Sequence, residues 1–143
     1  MSVFSWPARV YWEDTDGGAV VYYANYLRFL ERSRTEWLRA HGHSQRELAR
    51  EPGILFTVVS LQVDYRAPAR LDDELDITCE PRPEGAASLR FAQRIYRTGA
   101  AAARGLLVEA NVRVACVDAR SLKPRRLPQF LLDALTMETR HDG

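Results

Sequence analysis

The sequence lacks the features that mark disulfide-rich, membrane-spanning or secreted proteins. Only two of its 143 residues are cysteines, Cys79 and Cys116, so we expect buried free thiols rather than a disulfide framework. No apolar run approaches the roughly 18 residues that indicate a membrane-spanning helix. The opening segment, MSVFSWPARV, lacks the basic and apolar regions of a signal peptide. These absences predict a cytoplasmic protein with no membrane span.

The sequence also lacks an excess of charge of either sign. Its 20 lysines and arginines nearly balance 19 aspartates and glutamates, and the net charge is +1. Because no overall field draws such a chain towards a polyanion, we do not expect nucleic acid as a partner. No repeat, linker or low-complexity tract divides the chain. We therefore expect one domain over residues 1–143, with a polar tail that frays over about 137–143.

The clearest periodic signal that is present lies in the first third of the chain. From Tyr22 or Tyr23 onward the apolar side chains recur at helical spacing, which predicts one long helix. Its buried stripe is expected to hold Tyr26, Leu30, Ser33 and Trp37. A short second helix is predicted over Ser44–Gly53, with Ser44 as its N-cap.

The other segments alternate with a period of two, which is typical of half-buried antiparallel strands. The first strand is predicted over Pro7–Asp14, before the long helix. Four more follow the helices, in the segments VVSLQVDYR, ELDITCE, SLRFAQRIYR and GLLVEANVRVACVD. In the last segment we expect Leu106 and Val108 to begin the row that faces the core. A short helix, LPQFLLDALTM, precedes the polar tail.

These predicted elements restrict the architecture. One long helix cannot cover both faces of a five-stranded sheet, so the sheet must curl around it. We therefore expect an α+β domain of the hotdog type, in which a five-stranded antiparallel sheet is wrapped around one long helix. The outer face of that sheet would be free to contact another subunit.

The segment that leads into the long helix combines acids with glycines. Asp14 and Asp16 are followed at once by Gly17 and Gly18. Aspartate is a favoured N-cap and Asp-Gly is a common turn, so the local pattern alone favours a structural turn. The same residues could instead aim a carboxylate at the positive end of the helix. The local pattern does not exclude this second interpretation.

Three motifs in register resemble one known family. They are RVYWEDTDGGAVVYYANYLRFLERSRTEWLR (Arg9–Arg39), VDYRAPARLDDELDI (Val63–Ile77) and VACVDARSLKPRRLPQFL (Val114–Leu131). Together they resemble the 4-hydroxybenzoyl-CoA thioesterase-like hotdog family, in its YbgC-type acyl-CoA thioesterase branch, over nearly the whole chain. Two positions depart from that branch. Ala19 replaces its usual glycine, and Tyr23 stands where it has a histidine, which is closer to the 4-hydroxybenzoyl-CoA type.

The resemblance implies hydrolysis of an acyl-CoA to a free acid and CoA, without a cofactor. It implies that Asp16 is the catalytic carboxylate, as general base or as nucleophile, and that the backbone N–H of Tyr23 binds the oxyanion. A helix N-terminus supplies unpaired amides and partial positive charge, which suits a thioester oxygen that gains negative charge. Gly17 and Gly18 suit a loop pressed against the substrate. The sequence does not choose between the two routes for Asp16.

Binding of CoA should involve basic side chains, because CoA carries phosphates. The candidates are Arg66, Arg70, Lys123, Arg125 and Arg126. For each of them an ordinary solvated basic side chain is the alternative. His41 and His43 have no third ligand nearby in the sequence, so we expect no metal site.

The resemblance also implies partners. It predicts a homodimer or homotetramer, formed across edge strands, with the site at the seam between two subunits. By analogy it suggests association with acyl carrier protein, or with Tol-Pal or phospholipid-synthesis proteins. Two alternative functions stay open: another hotdog enzyme such as an acyl-carrier-protein thioesterase, and a non-catalytic acyl-CoA-binding or scaffold protein.

Overall fold

The computed structural model describes residues 3–99 and 104–142, with the backbone alone for residues 137–142. Five strands form one antiparallel sheet in the order β1-β3-β4-β5-β2. The strands are β1 (Phe4–Arg9), β2 (Ile54–Tyr65), β3 (Glu74–Pro83), β4 (Ser88–Thr98) and β5 (Gly105–Asp118). The helices are α1 (Tyr26–Ala40), α2 (Gln45–Arg50) and α3 (Gln129–Asp142). This is the predicted α+β hotdog arrangement, with the sheet wrapped around α1.

Helix α1 packs its apolar stripe on the inner face of the sheet. All four residues of the predicted stripe, Tyr26, Leu30, Ser33 and Trp37, are buried. Ser33 faces the sheet, and its Oγ donates a hydrogen bond of 2.8 Å to the carbonyl oxygen of Ile77. The small side chain therefore allows close packing and satisfies a buried backbone acceptor.

The inner face of the sheet carries the rest of the core. The alternating residues Leu75, Ile77 and Cys79 of β3 are each at most 1% exposed, as predicted. In β5 the prediction of Leu106 on the core side is wrong, because Leu107 is buried there instead. The register between β4 and β5 shifts at this point: Ile95 is opposite Val108 and Tyr96 is opposite Leu106, so Leu107 has no directly opposite residue in β4. Such a bulge moves the following side chains to the opposite face.

The first strand does not lie where the sequence predicted it. Strand β1 covers Phe4–Arg9 rather than Pro7–Asp14, and Trp12–Asp14 form a short 3-10 helix. A proline within β1 is tolerated because β1 is an edge strand, where one row of backbone groups has no ladder partner. The alternation that suggested a longer strand ends at this 3-10 helix, where the Asp14 carboxylate accepts a hydrogen bond from the backbone N–H of Tyr11.

The predicted second helix is confirmed and the end of the chain differs. The side chain of Ser44 accepts a hydrogen bond of 3.2 Å from the backbone N–H of Glu47, so it caps α2 as expected. Helix α3 continues in the backbone to Asp142, although a polar tail was predicted from about residue 137. Gly143 lies outside the described residues. None of the helices in the described ranges combines the length and apolar character that a bilayer crossing requires.

Candidate active site

The Asp-Gly-Gly loop is held by backbone pairing on both sides. Within the loop, the N–H of Asp16 donates to the carbonyl oxygen of Val20 at 3.2 Å. The loop also pairs with the segment before β3: the N–H of Val21 donates to Ala69 and that of Leu71 donates to Ala19, at 2.9 and 3.1 Å. The loop is therefore a defined turn against the sheet, although it holds two adjacent glycines.

Asp14 is the structural member of the acid pair. The residue is only 7% exposed. One oxygen accepts from the backbone N–H of Tyr11 at 2.8 Å, and the other accepts from the side-chain amide of Asn25 at 2.9 Å. The carbonyl oxygen of Asp14 also accepts from the N–H of Tyr22 at 3.1 Å. Asp14 thus joins the loop to the beginning of the helix.

Asp16 has the opposite environment. It is exposed in the single chain, and its Oδ1 accepts one hydrogen bond of 2.8 Å, from the N–H of Gly18. A Cβ at Gly18 would lie 2.9 Å from that same oxygen. Gly17 has φ of +86°, a conformation that glycine adopts readily. The two glycines therefore permit the turn and leave room for the Asp16 carboxylate.

The helix start presents amide groups beside this loop. Tyr23–Asn25 form a 3-10 turn that leads directly into α1 at Tyr26. The first hydrogen bond within this turn is donated by the N–H of Asn25 to Tyr22, at 2.8 Å. The amides of Tyr23 and Ala24 precede it, so they belong to the group of N–H donors that a helix start leaves without an intrahelical partner. They are the donors that an oxyanion site would use.

Four tyrosines surround this helix start. The ring centroids of Tyr22 and Tyr23 are 4.9 Å apart, and those of Tyr26 and Tyr65 are 5.4 Å apart. The ring of Tyr65 also lies edge-on to that of Tyr23, at 6.5 Å. Burial and the neighbouring tyrosines raise the pKa of Tyr65 above its ordinary value. Tyr65 stays protonated at neutral pH and can donate a hydrogen bond.

The predicted CoA-binding residues lie at two different ends of the sheet. Arg70 pairs through its backbone with Val20 of the Asp-Gly-Gly loop, and its side chain is exposed. Arg66 lies at the same end, just after β2, and forms an ion pair of 3.2 Å with Glu109. These two arginines are the basic candidates that the fold brings to the loop.

The other three candidates lie at the far end of β2 and β5. They are Lys123, Arg125 and Arg126, in the connection between β5 and α3. Arg125 donates to the carbonyl oxygens of Pro52 and Gly53 at 3.1 and 3.0 Å. This guanidinium therefore holds the connection against the start of β2. The single chain does not bring these three residues to the Asp16 loop.

An apolar cavity of about 110 Å³ lies between α1 and the inner face of the sheet. Its walls include Trp37, Phe56 and Phe91, with Glu31 and Arg34 among the polar residues that line it. Burial lowers the pKa of the Arg34 guanidinium. Glu31 follows Tyr23 by eight residues, which is about 12 Å along a helix, so this cavity lies well beyond the helix start.

The described cysteines and histidines pack within the fold. Cys79 and Cys116 are buried and form no disulfide, as predicted, and burial raises the pKa of Cys116. The ring of His43 stacks on Phe130 at 3.9 Å, and that of His41 lies 4.6 Å from Trp37. Among the residues that the structure describes, no group of three or more potential metal-ligating acid, cysteine or histidine side chains occurs.

Two residues beside the site were missed in the sequence. Asn25 binds the buried Asp14, and the hydroxyl of Tyr65 contacts the helix start from a distant strand. Asn25 carries a weak signal, since it is a polar residue directly before Tyr26, the first position of the apolar helical stripe. Tyr65 carries none, because 42 positions separate it from the residue that it binds.

Comparison with known proteins places the chain in a family. The model of the thioesterase-like superfamily matches residues 10–135. The chain belongs to this superfamily. It shares 49% identity over 131 residues with the acyl-CoA thioester hydrolase YbgC of Escherichia coli O6:H1, covering 92% of this chain and 94% of that protein. The acyl-CoA thioesterase YbgC of Haemophilus influenzae is 44% identical over 126 residues, covering 88% of this chain and 89% of that protein.

The fold of this superfamily member is also found in solved structures. The 4-hydroxybenzoyl-CoA thioesterase of Pseudomonas sp. strain CBS-3 superposes with a TM-score of 0.85, covering 94% of this chain and 99% of that one. The two sequences share 21% identity, so the likeness concerns the fold. It confirms the hotdog architecture predicted from the sequence.

Proposed function

We propose that this protein is an acyl-CoA thioesterase, which uses water to cleave an acyl-CoA into a free acid and CoA. The observation that supports this most is the near-full-length identity of 49% and 44% to proteins named for that activity. The geometry fits the same chemistry. An exposed carboxylate, Asp16, stands on a fixed turn that is joined through Asp14 to the amides of the helix start.

The proposed mechanism divides the work between these two groups. Asp16 either removes a proton from the attacking water or attacks the thioester carbon itself. The amides of Tyr23 and Ala24 stabilise the carbonyl oxygen as it gains negative charge, and one such donor typically contributes about 2.7–4 kcal/mol to the transition state. Neither step uses a metal or an organic cofactor, so none is proposed.

We further propose that the active unit is a homodimer, or a homotetramer built from it. Strand β2 is an edge of the sheet, and edge strands present unpaired backbone groups that can pair with a second chain. Four large apolar side chains of β2 are exposed in the single chain, namely Val58, Val59, Leu61 and Tyr65 at 43%, 52%, 44% and 47%. Pairing there would place the helix start at the seam, because Tyr65 contacts it.

The direct test is a free-thiol assay over a panel of acyl-CoA esters, from short to long aliphatic chains and aromatic acids. We expect turnover by the wild type, and a loss of about 10²- to 10⁴-fold in kcat for Asp16→Asn. Glu13→Gln is a matched control, because it removes one exposed carboxylate charge three residues away and should keep wild-type turnover. Binding of acyl-CoA without turnover in the wild type would instead indicate a non-catalytic binder.

The same preparation separates the two routes for Asp16. In water labelled with oxygen-18, a general base directs the label only into the released acid. A nucleophile forms a mixed anhydride, and attack of water on the Asp16 carbonyl of that anhydride places label in the Asp16 carboxylate. Label found by mass spectrometry in the peptide that contains Asp16 therefore identifies the nucleophilic route.

Parallel assays with acyl carrier protein thioesters show whether the enzyme prefers CoA or acyl carrier protein as the thiol carrier of its substrate. The cytoplasmic location, and any association with Tol-Pal or phospholipid-synthesis proteins, stay predictions.

A further inference from the structure

The end of strand β2 reaches the helix start through one hydroxyl group. Tyr65, the last residue of β2, donates a hydrogen bond of 3.0 Å from its hydroxyl to the carbonyl oxygen of Tyr23. Its ring is fixed by Tyr26 on one side and lies perpendicular to the ring of Tyr23 on the other, with an interplanar angle of 89°. An edge strand therefore contacts the turn whose amides would bind the oxyanion.

The carbonyl that Tyr65 binds belongs to a functional peptide group. The oxygen of Tyr23 and the N–H of Ala24 are the two ends of one peptide unit, so a hydrogen bond to the first affects the second. Donation to a carbonyl oxygen polarises the peptide and strengthens the N–H as a donor. It also fixes the plane of the peptide, and preorganised donors stabilise a developing oxyanion far better than mobile ones.

The other contacts of this turn act at its two ends. The N–H of Tyr22 and the side chain of Asn25 are both bound to Asp14. The Tyr65 hydroxyl acts between these two points, on the peptide that carries the N–H of Ala24, the second of the two proposed oxyanion donors. Because the pKa of Tyr65 is raised by burial, the hydroxyl keeps its proton over the pH range in which a carboxylate base works.

We propose that Tyr65 is a positioning residue for thioester hydrolysis. Its hydroxyl sets the orientation and the polarity of the peptide between Tyr23 and Ala24, and through this peptide it strengthens the N–H of Ala24, one of the two amides proposed to bind the thioester oxygen. This inference rests on the proposed function, and it assigns to the end of the edge strand a part in the chemical step.

The test is Tyr65→Phe, which removes the hydroxyl and keeps the ring. We expect kcat to fall about tenfold, a fraction of the loss on removing a direct oxyanion donor, while KM changes less than twofold. Tyr96→Phe is the matched control: its ring packs on Arg104 at 4.1 Å, on the outer face of the sheet, and wild-type kcat is expected. Both variants should unfold at temperatures close to that of the wild type.

A second readout reports the oxyanion site without turnover. In an Asp16→Asn background the bound acyl-CoA stays intact, and the infrared stretching frequency of its thioester carbonyl falls as hydrogen bonds to the oxygen strengthen. Adding Tyr65→Phe should move this frequency back towards its value in solution. A purely structural role for Tyr65 would leave the frequency unchanged.

The outcomes separate this inference from the proposed function. An active wild type in which Tyr65→Phe changes neither kcat nor the carbonyl frequency overturns the role of Tyr65 alone. A wild type with no turnover over the whole acyl-CoA panel overturns the proposed function and this inference together.

Discussion

At the scale of single residues, Asp14 and Asp16 show how two identical side chains take different tasks. Asp14 is buried and accepts two hydrogen bonds, so it is occupied in holding the turn. Asp16 is exposed and accepts one hydrogen bond, from the N–H of Gly18 to its Oδ1. This bond orients the carboxylate and leaves its second oxygen available for the reaction. This division supports Asp16 as the reacting carboxylate and Asp14 as its support.

Gly18 provides a sharp test of that geometry. In Gly18→Ala the new Cβ would lie 2.9 Å from Oδ1 of Asp16, so the carboxylate must move away from its present position. Because misplacement of about 1 Å can cost up to about 100-fold, we expect kcat to fall ten- to a hundredfold. The free energy of unfolding should change by less than about 1 kcal/mol, because only an exposed side chain moves. Steady-state kinetics and urea unfolding measure the two effects.

The control is Gly85→Ala, which should show the reverse pattern. Gly85 has φ of +77° in the turn between β3 and β4, and a Cβ there meets nothing within 4 Å. We expect a loss of about 1 kcal/mol in stability, since alanine resists this conformation, and wild-type kcat. If Gly18→Ala kept wild-type kcat, the position of Asp16 in this turn would be irrelevant to the reaction.

The sequence predicted the part of the candidate site that is contiguous in the chain. Asp16, Gly17, Gly18 and Tyr23 fall within eight positions, so one motif was sufficient to group them. Tyr65 could not be found, because its contact with Tyr23 exists only once β2 and α1 have packed. The same limit applies to Arg125, whose contacts with Pro52 and Gly53 come from a distant segment.

At the scale of the elements, the packing of α1 on β3 depends on one small side chain. Ser33 is fully buried, and its hydroxyl is bound to the carbonyl oxygen of Ile77. Ser33→Val fills no vacant space and removes the hydroxyl, so overpacking should lower the free energy of unfolding by about 1–3 kcal/mol. Chemical denaturation measures this change. The slope of the free energy of unfolding against denaturant concentration should stay constant.

Ser33→Ala separates the two causes. It removes the hydrogen bond without adding volume, and we expect a loss of about 1 kcal/mol. A Ser33→Val variant that is no less stable than Ser33→Ala would show that the helix has room to move away from the sheet.

The elements were more predictable than their ends. Periodicities of 3.6 and 2 identified α1, β3, β4 and β5, because each of these elements buries one face. The position of β1 was predicted wrongly, since the alternation in Pro7–Asp14 continues into a turn that only the Asp14 contacts reveal. The bulge beside Leu107 was also invisible, because it depends on the register between two strands and leaves no periodic signal.

At the scale of the whole molecule, the exposed apolar side chains of edge strand β2 are the feature that suggests an interface with a second chain. Leu61 is paired with the buried Val112 of β5, yet it is 44% exposed because no strand lies on its other side. Leu61→Lys places a charge at this edge and should shift the proposed oligomer to monomers in analytical ultracentrifugation. If the site lies at the seam, turnover should fall with the loss of the dimer.

The opposite edge of the sheet supplies the comparison. Trp6 of β1 is 37% exposed and faces the same side of the sheet. Trp6→Lys should leave the association state unchanged. Dissociation by Trp6→Lys alone would move the interface to β1 and contradict a seam at β2.

The separation of the basic side chains has a consequence for how many binding sites one assembly can have. Strand β2 has 12 residues, so its two ends are about 35 Å apart at the usual rise per residue. Arg70 and Lys123 lie beyond opposite ends of it. A ligand that requires both must therefore be shared by two chains. Such sites would appear only in symmetric pairs, and a lone chain would possess half of each.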